Sequence, residues 1–339
     1  MGVSTLVIDV HGHVVAPPEL YAYQASLLAS RGAHGRGALH ISDERLVNAV
    51  WGSRMGEPAT HVQLLDEVGT DVQFISPRPF HAMHSVQPER IVHWYTEAAN
   101  DIIARLCNLF PGRFRGIAGL PQCAGVSPRN TLEELERCVR ELGFIGCMIN
   151  PDPYEGAGTP PGLGDEYWYP LYEKLVELDV PALIHSASCV SPRESYSLHF
   201  INEETIAVLS LLNSNVFKDF PTLKIIISHA GGAVPYQIGR FMAGRYRNPK
   251  AEPFETSIRR LYFDTCLYTK DSLELLFKTV GVDRCLFGTE NPGTASVINP
   301  NTGDYMDNTR PLIERIEWLS EEDKHKIFHE NAERLFRLV

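Results

Sequence analysis

Apolar residues in this chain fall into two alternating kinds of stretch. The first kind is short and nearly solid: Leu6 to Val10, Val72 to Pro77, Phe114 to Leu120, Phe144 to Ile149, Val180 to His185, Leu223 to His229, Leu261 to Asp264 and Arg284 to Gly288. Aliphatic runs of this length, rich in β-branched residues, predict strands buried on both faces, as in a parallel sheet. The second kind is longer, with apolar residues recurring every three or four positions. It predicts helices over Arg90 to Phe110, Thr131 to Leu142, Tyr167 to Leu178, Asn202 to Phe217 and Lys270 to Val280, with Glu321 to Leu338 closing the chain. Helix ends carry their expected stop signals, Pro111-Gly112 and Gly143 among them. A shorter helix over His61 to Val68 stops at Gly69.

Eight strands alternating with helices, and no G-x-G-x-x-G after the first strand, predict an α/β chain closed as a (β/α)8 TIM barrel rather than a doubly wound sheet. Residues 1–339 read as a single barrel domain. The stretch from Pro17 to Thr60 breaks the rhythm: it is polar, rich in Gly and Ala, and weakly patterned, with a helix expected over Tyr21 to Ser30 and a loop over Gly32 to Gly37. It is expected to be an insertion, or lid, over the barrel mouth, where loops after strands gather.

Charge narrows the partners. A net charge of −11 excludes a nucleic-acid binder, which needs a basic face, but not an anionic small molecule held by a few local arginines. Seven cysteines without a C-x-x-C pair fit reduced thiols in the cytoplasm. No apolar run reaches the ~18 residues of a membrane span, and no leader opens the chain.

Candidate chemistry collects at predicted strand ends, where a barrel builds its active site. Strand one ends in His11 and His13, strand five in His185, strand six in His229 and strand eight in Glu290. Side chains two apart on a strand point the same way, so His11 and His13 share a side. Imidazoles converging with one carboxylate suit a single divalent ion such as Zn2+. Arg78, at the end of strand two, is the candidate clamp for a substrate carboxylate, because a guanidinium grips it with two parallel hydrogen bonds. Asn150, Tyr196 and Arg240 are further candidates for substrate contact. Asp264, ending strand seven, is expected to support the site rather than react.

The motifs Asp9-x-His11-x-His13, Ile184-His185, Ser228-His229-Ala230-Gly231-Gly232, Phe263-Asp264-Thr265 and Asn331-Ala332-x-Arg334-Leu335-Phe336 span nearly the whole chain. Their set resembles the amidohydrolase superfamily, in particular its branch of decarboxylases and hydratases. Decarboxylases of that branch usually carry G-[ST]-D-[WY]-P after strand eight. Here the stretch is Gly288-Thr289-Glu290-Asn291-Pro292, and a glutamate there looks like the branch's hydratases, as does Asn150-Pro151-Asp152-Pro153. The segments 17–60 and 186–196 match the family less well.

The resemblance implies a metal-dependent lyase with one divalent ion, Zn2+, on His11, His13 and His185. Glu290 would be a fourth ligand or the proton carrier at carbon, and His229 would handle the proton of water. The implied reaction is addition of water to an unsaturated keto polycarboxylic acid of aromatic-acid degradation. Non-oxidative decarboxylation of an aromatic or muconate-type acid, and hydrolysis of a lactone or amide, are the alternatives. Relatives in the branch are commonly dimers, so a homodimer or higher homo-oligomer is expected, with Arg240 serving its own pocket or a neighbour's.

Overall fold

The computed structural model describes residues 6–32, 36–37, 39–51, 60–248 and 250–338. Eight parallel strands run in chain order: β1 Ile8–His13, β2 Val72–Ser76, β3 Phe114–Ala118, β4 Gly146–Ile149, β5 Ala182–Ile184, β6 Ile225–Ile227, β7 Tyr262–Asp264 and β8 Cys285–Leu286. The seam between the last and first strands is joined by the Val10 amide donating to the Phe287 carbonyl (2.9 Å) and the Glu290 amide to the His11 carbonyl (2.8 Å). A buried carboxylate reinforces it. Asp9 accepts from the Thr289 hydroxyl (2.6 Å), the Thr289 amide (3.1 Å) and the Gln73 side chain (2.9 Å). This is the eight-stranded parallel barrel with flanking helices that the hydrophobic rhythm predicts.

The interior is packed, not hollow. Ile8, Val10, Phe74, Ile117, Met148, Leu183, Ile226 and Leu286 fill the barrel. Alternate residues such as Ile75, Cys147, Ile184, Ile227 and Cys285 point outward into the larger apolar layer beneath the helices. Ala332, Leu335 and Phe336 of the closing segment cap the same inner cluster, the Phe336 ring lying 4.8 Å from that of Phe74. One end of the barrel is thereby stoppered with apolar side chains, and polar side chains collect at the other.

A bulge in β1 positions the first two histidines. Asp9 pairs with Gln73 and Gly12 with Ile75, so β1 carries one residue more than β2 over this span. Strict alternation would send His11 to the side opposite Val10. The extra residue shifts the parity, so Val10 fills the core and His11 and His13 still face inward.

Helix boundaries depart from the sequence pattern in instructive places. The helix expected from Asn202 begins at Tyr196, capped by Ser195, and ends at Leu212. The closing helix is broken by a π-helical turn at Lys326–Glu330. In the 17–60 segment, helices Pro18–Ser30 and Asp43–Trp51 bury Leu20, Leu27, Leu46 and Val50 in the main core. Residues 33–35, 38 and 52–59 of the expected lid lie outside the described residues.

Candidate metal centre and active site

Three imidazoles meet at the open end of the barrel, and the hydrogen bond behind each fixes which nitrogen faces inward. His11 donates from Nδ1 to the Asp264 carboxylate (2.7 Å). His13 donates from Nδ1 to the Ser76 hydroxyl (2.9 Å), which passes its own proton to the Gly12 carbonyl (3.2 Å). His185 donates from Nδ1 to the Ser186 carbonyl (2.6 Å). Each Nε2 is left as a lone pair, buried and without a hydrogen-bond partner. Ring centroids lie 5.1 Å apart for His11 and His13, 4.9 Å for His11 and His185, and 5.1 Å for His13 and His185. The rings stand nearly perpendicular in each pair, so the three lone pairs converge from different directions.

Glu290 completes the group, with one ligand atom from each of the four residues within 4.8 Å of the others. Its Oε1 lies 3.6 Å from His13 Nε2 and its Oε2 3.8 Å from His229 Nε2, and Tyr268 donates to Oε2 at 3.4 Å. Burial favours the neutral acid, yet His13, His229 and His11 around the carboxylate outweigh it and hold its pKa well below the usual range. Burial pushes the His13 imidazole down to about 4, and burial with three neighbouring imidazoles holds His185 well below its ordinary value. Neutral imidazoles and an ionised carboxylate are the protonation states a metal ligand needs. Three orphaned buried lone pairs would be costly without a partner, so the donor set fits a divalent cation.

His229 stands beside this group, 5.3 Å from the His11 ring and 5.0 Å from the His185 ring. Its Nδ1 donates to both oxygens of the buried Glu204 carboxylate (2.8 and 3.0 Å). Burial alone disfavours a charged imidazole, but the Glu204 carboxylate outweighs it and holds His229 well above its ordinary value. His229, Ala230 and Glu290 all adopt positive φ (47°, 56° and 62°), a strained backbone that turns these groups back over the barrel.

Arg78 and Tyr196 line a cavity of about 510 Å³ that opens onto His13 and Glu290. Arg78 Nη2 donates to the Pro292 carbonyl (3.3 Å), and Tyr21, from the helix Pro18–Ser30, lies on the cavity wall. Asn150 stands elsewhere. Its amide donates to His84 Nδ1 (2.9 Å) and to the Asp152 carbonyl (2.8 Å), and it is not among the lining residues. Arg240 is exposed on the helix Ile238–Tyr246 and borders a different cavity with Asn213 and Arg245. Asp264 grips His11 with one oxygen and accepts the Ala230 and Cys266 amides (3.2 and 3.1 Å) with the other. Sequence reasoning missed Glu204, Ser76 and Tyr268. Glu204 left one trace, the Glu203-Glu204 pair inside the helix predicted from Asn202, but nothing in its spacing links it to His229.

Fold and site together define an enzyme built on a (β/α)8 barrel, with a cluster of residues able to hold a metal ion at the carboxyl ends of its strands. The chain belongs to the amidohydrolase family, whose model matches residues 8–338. It is 37% identical over 337 residues to a 2-keto-4-carboxy-3-hexenedioate hydratase from a Sphingobium species, covering 98% of this chain and 96% of that protein. The crystal structure of 4-oxalomesaconate hydratase from Rhodopseudomonas palustris superposes with a TM-score of 0.87 at 35% identity, over 98% of this chain and 96% of the other. A dihydroxybenzoic acid decarboxylase from a Polaromonas species, with bound manganese, matches at TM-score 0.71 and 26% identity, over 98% and 97%.

Proposed function

We propose that this chain is a metal-dependent hydro-lyase that adds water to an unsaturated keto polycarboxylic acid arising in aromatic-acid degradation. One divalent ion, Zn2+, would sit on His11, His13, His185 and Glu290. The observation that carries the reading is Glu290, whose two oxygens face His13 on one side and His229 on the other. The similarity to two hydratases over almost the entire chain supports it. When bound, the ion supplies a Lewis acid that polarises a keto oxygen and acidifies water.

The protein's own groups divide the remaining work. His229, charged through its pair with Glu204, passes its Nε2 proton to Glu290 (3.8 Å) and, once neutral, takes the proton of the attacking water. Glu290 would hold the ion together with the three histidines, and its Oε2, on the His229 side, carries the proton to or from substrate carbon. Arg78 and Tyr196 bind a substrate carboxylate at the mouth, and the helix Pro18–Ser30 borders it through Tyr21. Asn150 acts from behind by shaping the loop after β4, and Arg240 serves across a homodimer interface. All seven cysteines are free, which supports a cytoplasmic setting, and no helix among the described residues is long and apolar enough to cross a membrane.

Glu290→Gln tests this assignment. The amide cannot relay a proton, so hydration of unsaturated keto acids and exchange of a substrate C–H with solvent deuterium should both be lost, with the fold kept. Carbon dioxide release from an aromatic acid by the wild type, with no hydration of any keto acid, would replace the reading with decarboxylation. Ring opening of a lactone would replace it with hydrolysis.

A further inference from the structure

The helix Tyr196–Leu212 presents two chemically loaded faces. Phe200 and Glu204 look toward the barrel centre, Phe200 packing against the His185 ring (5.0 Å) and Glu204 holding His229. His199 and Glu203 each sit one residue earlier, about 100° round the helix, and four residues apart on a common face. That face meets the loop after β4 across a cavity of about 500 Å³, bordered by Pro151, Asp152, Gly156, His199, Glu203 and Ile206.

His199 is 1% exposed, and its Nδ1 donates to the Glu194 carboxylate (2.8 Å). Its Nε2 points the other way and is buried with no hydrogen-bond partner. The nearest charged atom is Asp152 Oδ2, 3.6 Å away, which is too long for a hydrogen bond. A Glu203 carboxylate oxygen completes a triplet whose ligand atoms all lie within 4.8 Å of one another. Two carboxyl groups thus crowd one buried imidazole nitrogen that no hydrogen bond satisfies, a donor set that a cation would satisfy. Asp152 is held in place from behind, its oxygens accepting the Tyr154 amide (2.9 Å) and the Gly156 amide (2.6 Å).

We infer that Asp152, His199 and Glu203 form a second divalent-cation site, separate from the barrel-centre cluster, for a Mn2+ or Zn2+ ion. One imidazole and two carboxylates suit such borderline cations, and the Glu194 carboxylate behind His199 is the outer partner that orients a ligating ring. Its place in the fold gives it a structural role. Asn150 and Asp152 exchange hydrogen bonds (2.8 and 3.0 Å), so an ion here ties the loop after β4 to the helix that carries Tyr196, Phe200 and Glu204 into the active site.

The test is metal stoichiometry on the full-length enzyme. Stripped protein equilibrated with Mn2+ should take up two equivalents, and anomalous scattering should show one peak between His199 Nε2 and the Asp152 and Glu203 carboxylates, apart from the peak at the barrel centre. Glu203→Gln should reduce the uptake to one equivalent, with the central peak retained. His11→Ala combined with His13→Ala should instead abolish the central peak and leave this one. Should either variant fail to fold, the wild-type anomalous map alone decides. A single peak at the barrel centre under saturating Mn2+ and again under saturating Zn2+ would overturn the inference. An empty centre beside a filled site here would sink the proposed catalytic metal and leave this site standing.

Discussion

Arg78 is tied by Nη2 to the Pro292 carbonyl while it lines the mouth beside Glu290, so its guanidinium is already oriented when an anion arrives. Replacing it with alanine should lower kcat/KM by about 2 kcal/mol, roughly 30-fold, with metal content unchanged. Lysine should restore part, because a point charge does not reproduce the two-pronged grip. Steady-state kinetics on both variants check this, and equal values in all three proteins would remove Arg78 from binding. His84 acts on stability instead. Burial pushes its imidazole down to about 4, against the hydrogen bond it donates to the Leu120 carbonyl (3.2 Å), while its other nitrogen accepts from the Asn150 amide (2.9 Å). The unfolded chain therefore takes up a proton near pH 6.5 and the folded chain only near 4. Stability is full above 6.5 and declines as the pH falls toward 4, by at most about 3 kcal/mol. In thermal melts across that window, His84→Gln should show a shallower acid decline than the wild type.

Elements set the directions in which these residues point. The turn after β6 brings His229 back over the barrel through positive φ at His229 and Ala230, and then lies flat on the helix Tyr196–Leu212. Gly232 makes the close approach. It has φ 62°, and a Cβ there would collide with the Ile201 carbonyl and the Thr205 hydroxyl, which accepts the Ala233 amide (2.9 Å). Gly232→Ala must therefore push the turn and the helix apart, and with them His229 from Glu204. Expected are a loss of about 1–3 kcal/mol in denaturant unfolding and a fall in kcat larger than any change in KM. A variant with wild-type stability and rate would show that this contact is slack.

At the scale of the whole molecule, the barrel brings four segments, near residues 11, 185, 229 and 290, to one small volume. It leaves three imidazole lone pairs without protein partners there. A cation that binds only the folded chain adds its binding free energy to stability, about 4 kcal/mol at a thousandfold excess over its Kd. Chelation should therefore lower the melting temperature in calorimetry, and Zn2+ or Mn2+ should restore it. An unchanged transition after complete metal removal would contradict the metal reading of the site.

Much of this was legible in the chain because the signals were local. Eight aliphatic runs and the helical spacing between them determine the strands and their parallel order, since burial on both faces selects the residue type directly. The histidines and Glu290 stand at strand ends, and strand ends share one face of a barrel, so their convergence followed from order alone. Tertiary structure decided what depends on contacts between distant segments. The β1 bulge that turns His11 inward is a property of pairing with β2, invisible in β1 itself. Glu204 behind His229, and Asp152 facing His199 and Glu203, join residues 25 or more positions apart that no periodicity connects. Asn150 and Arg240 looked alike in the sequence as polar candidates. Packing alone separates one locked behind the loop after β4 from the other on an exposed helix, because a side chain's neighbours are set by the fold and not by its own segment.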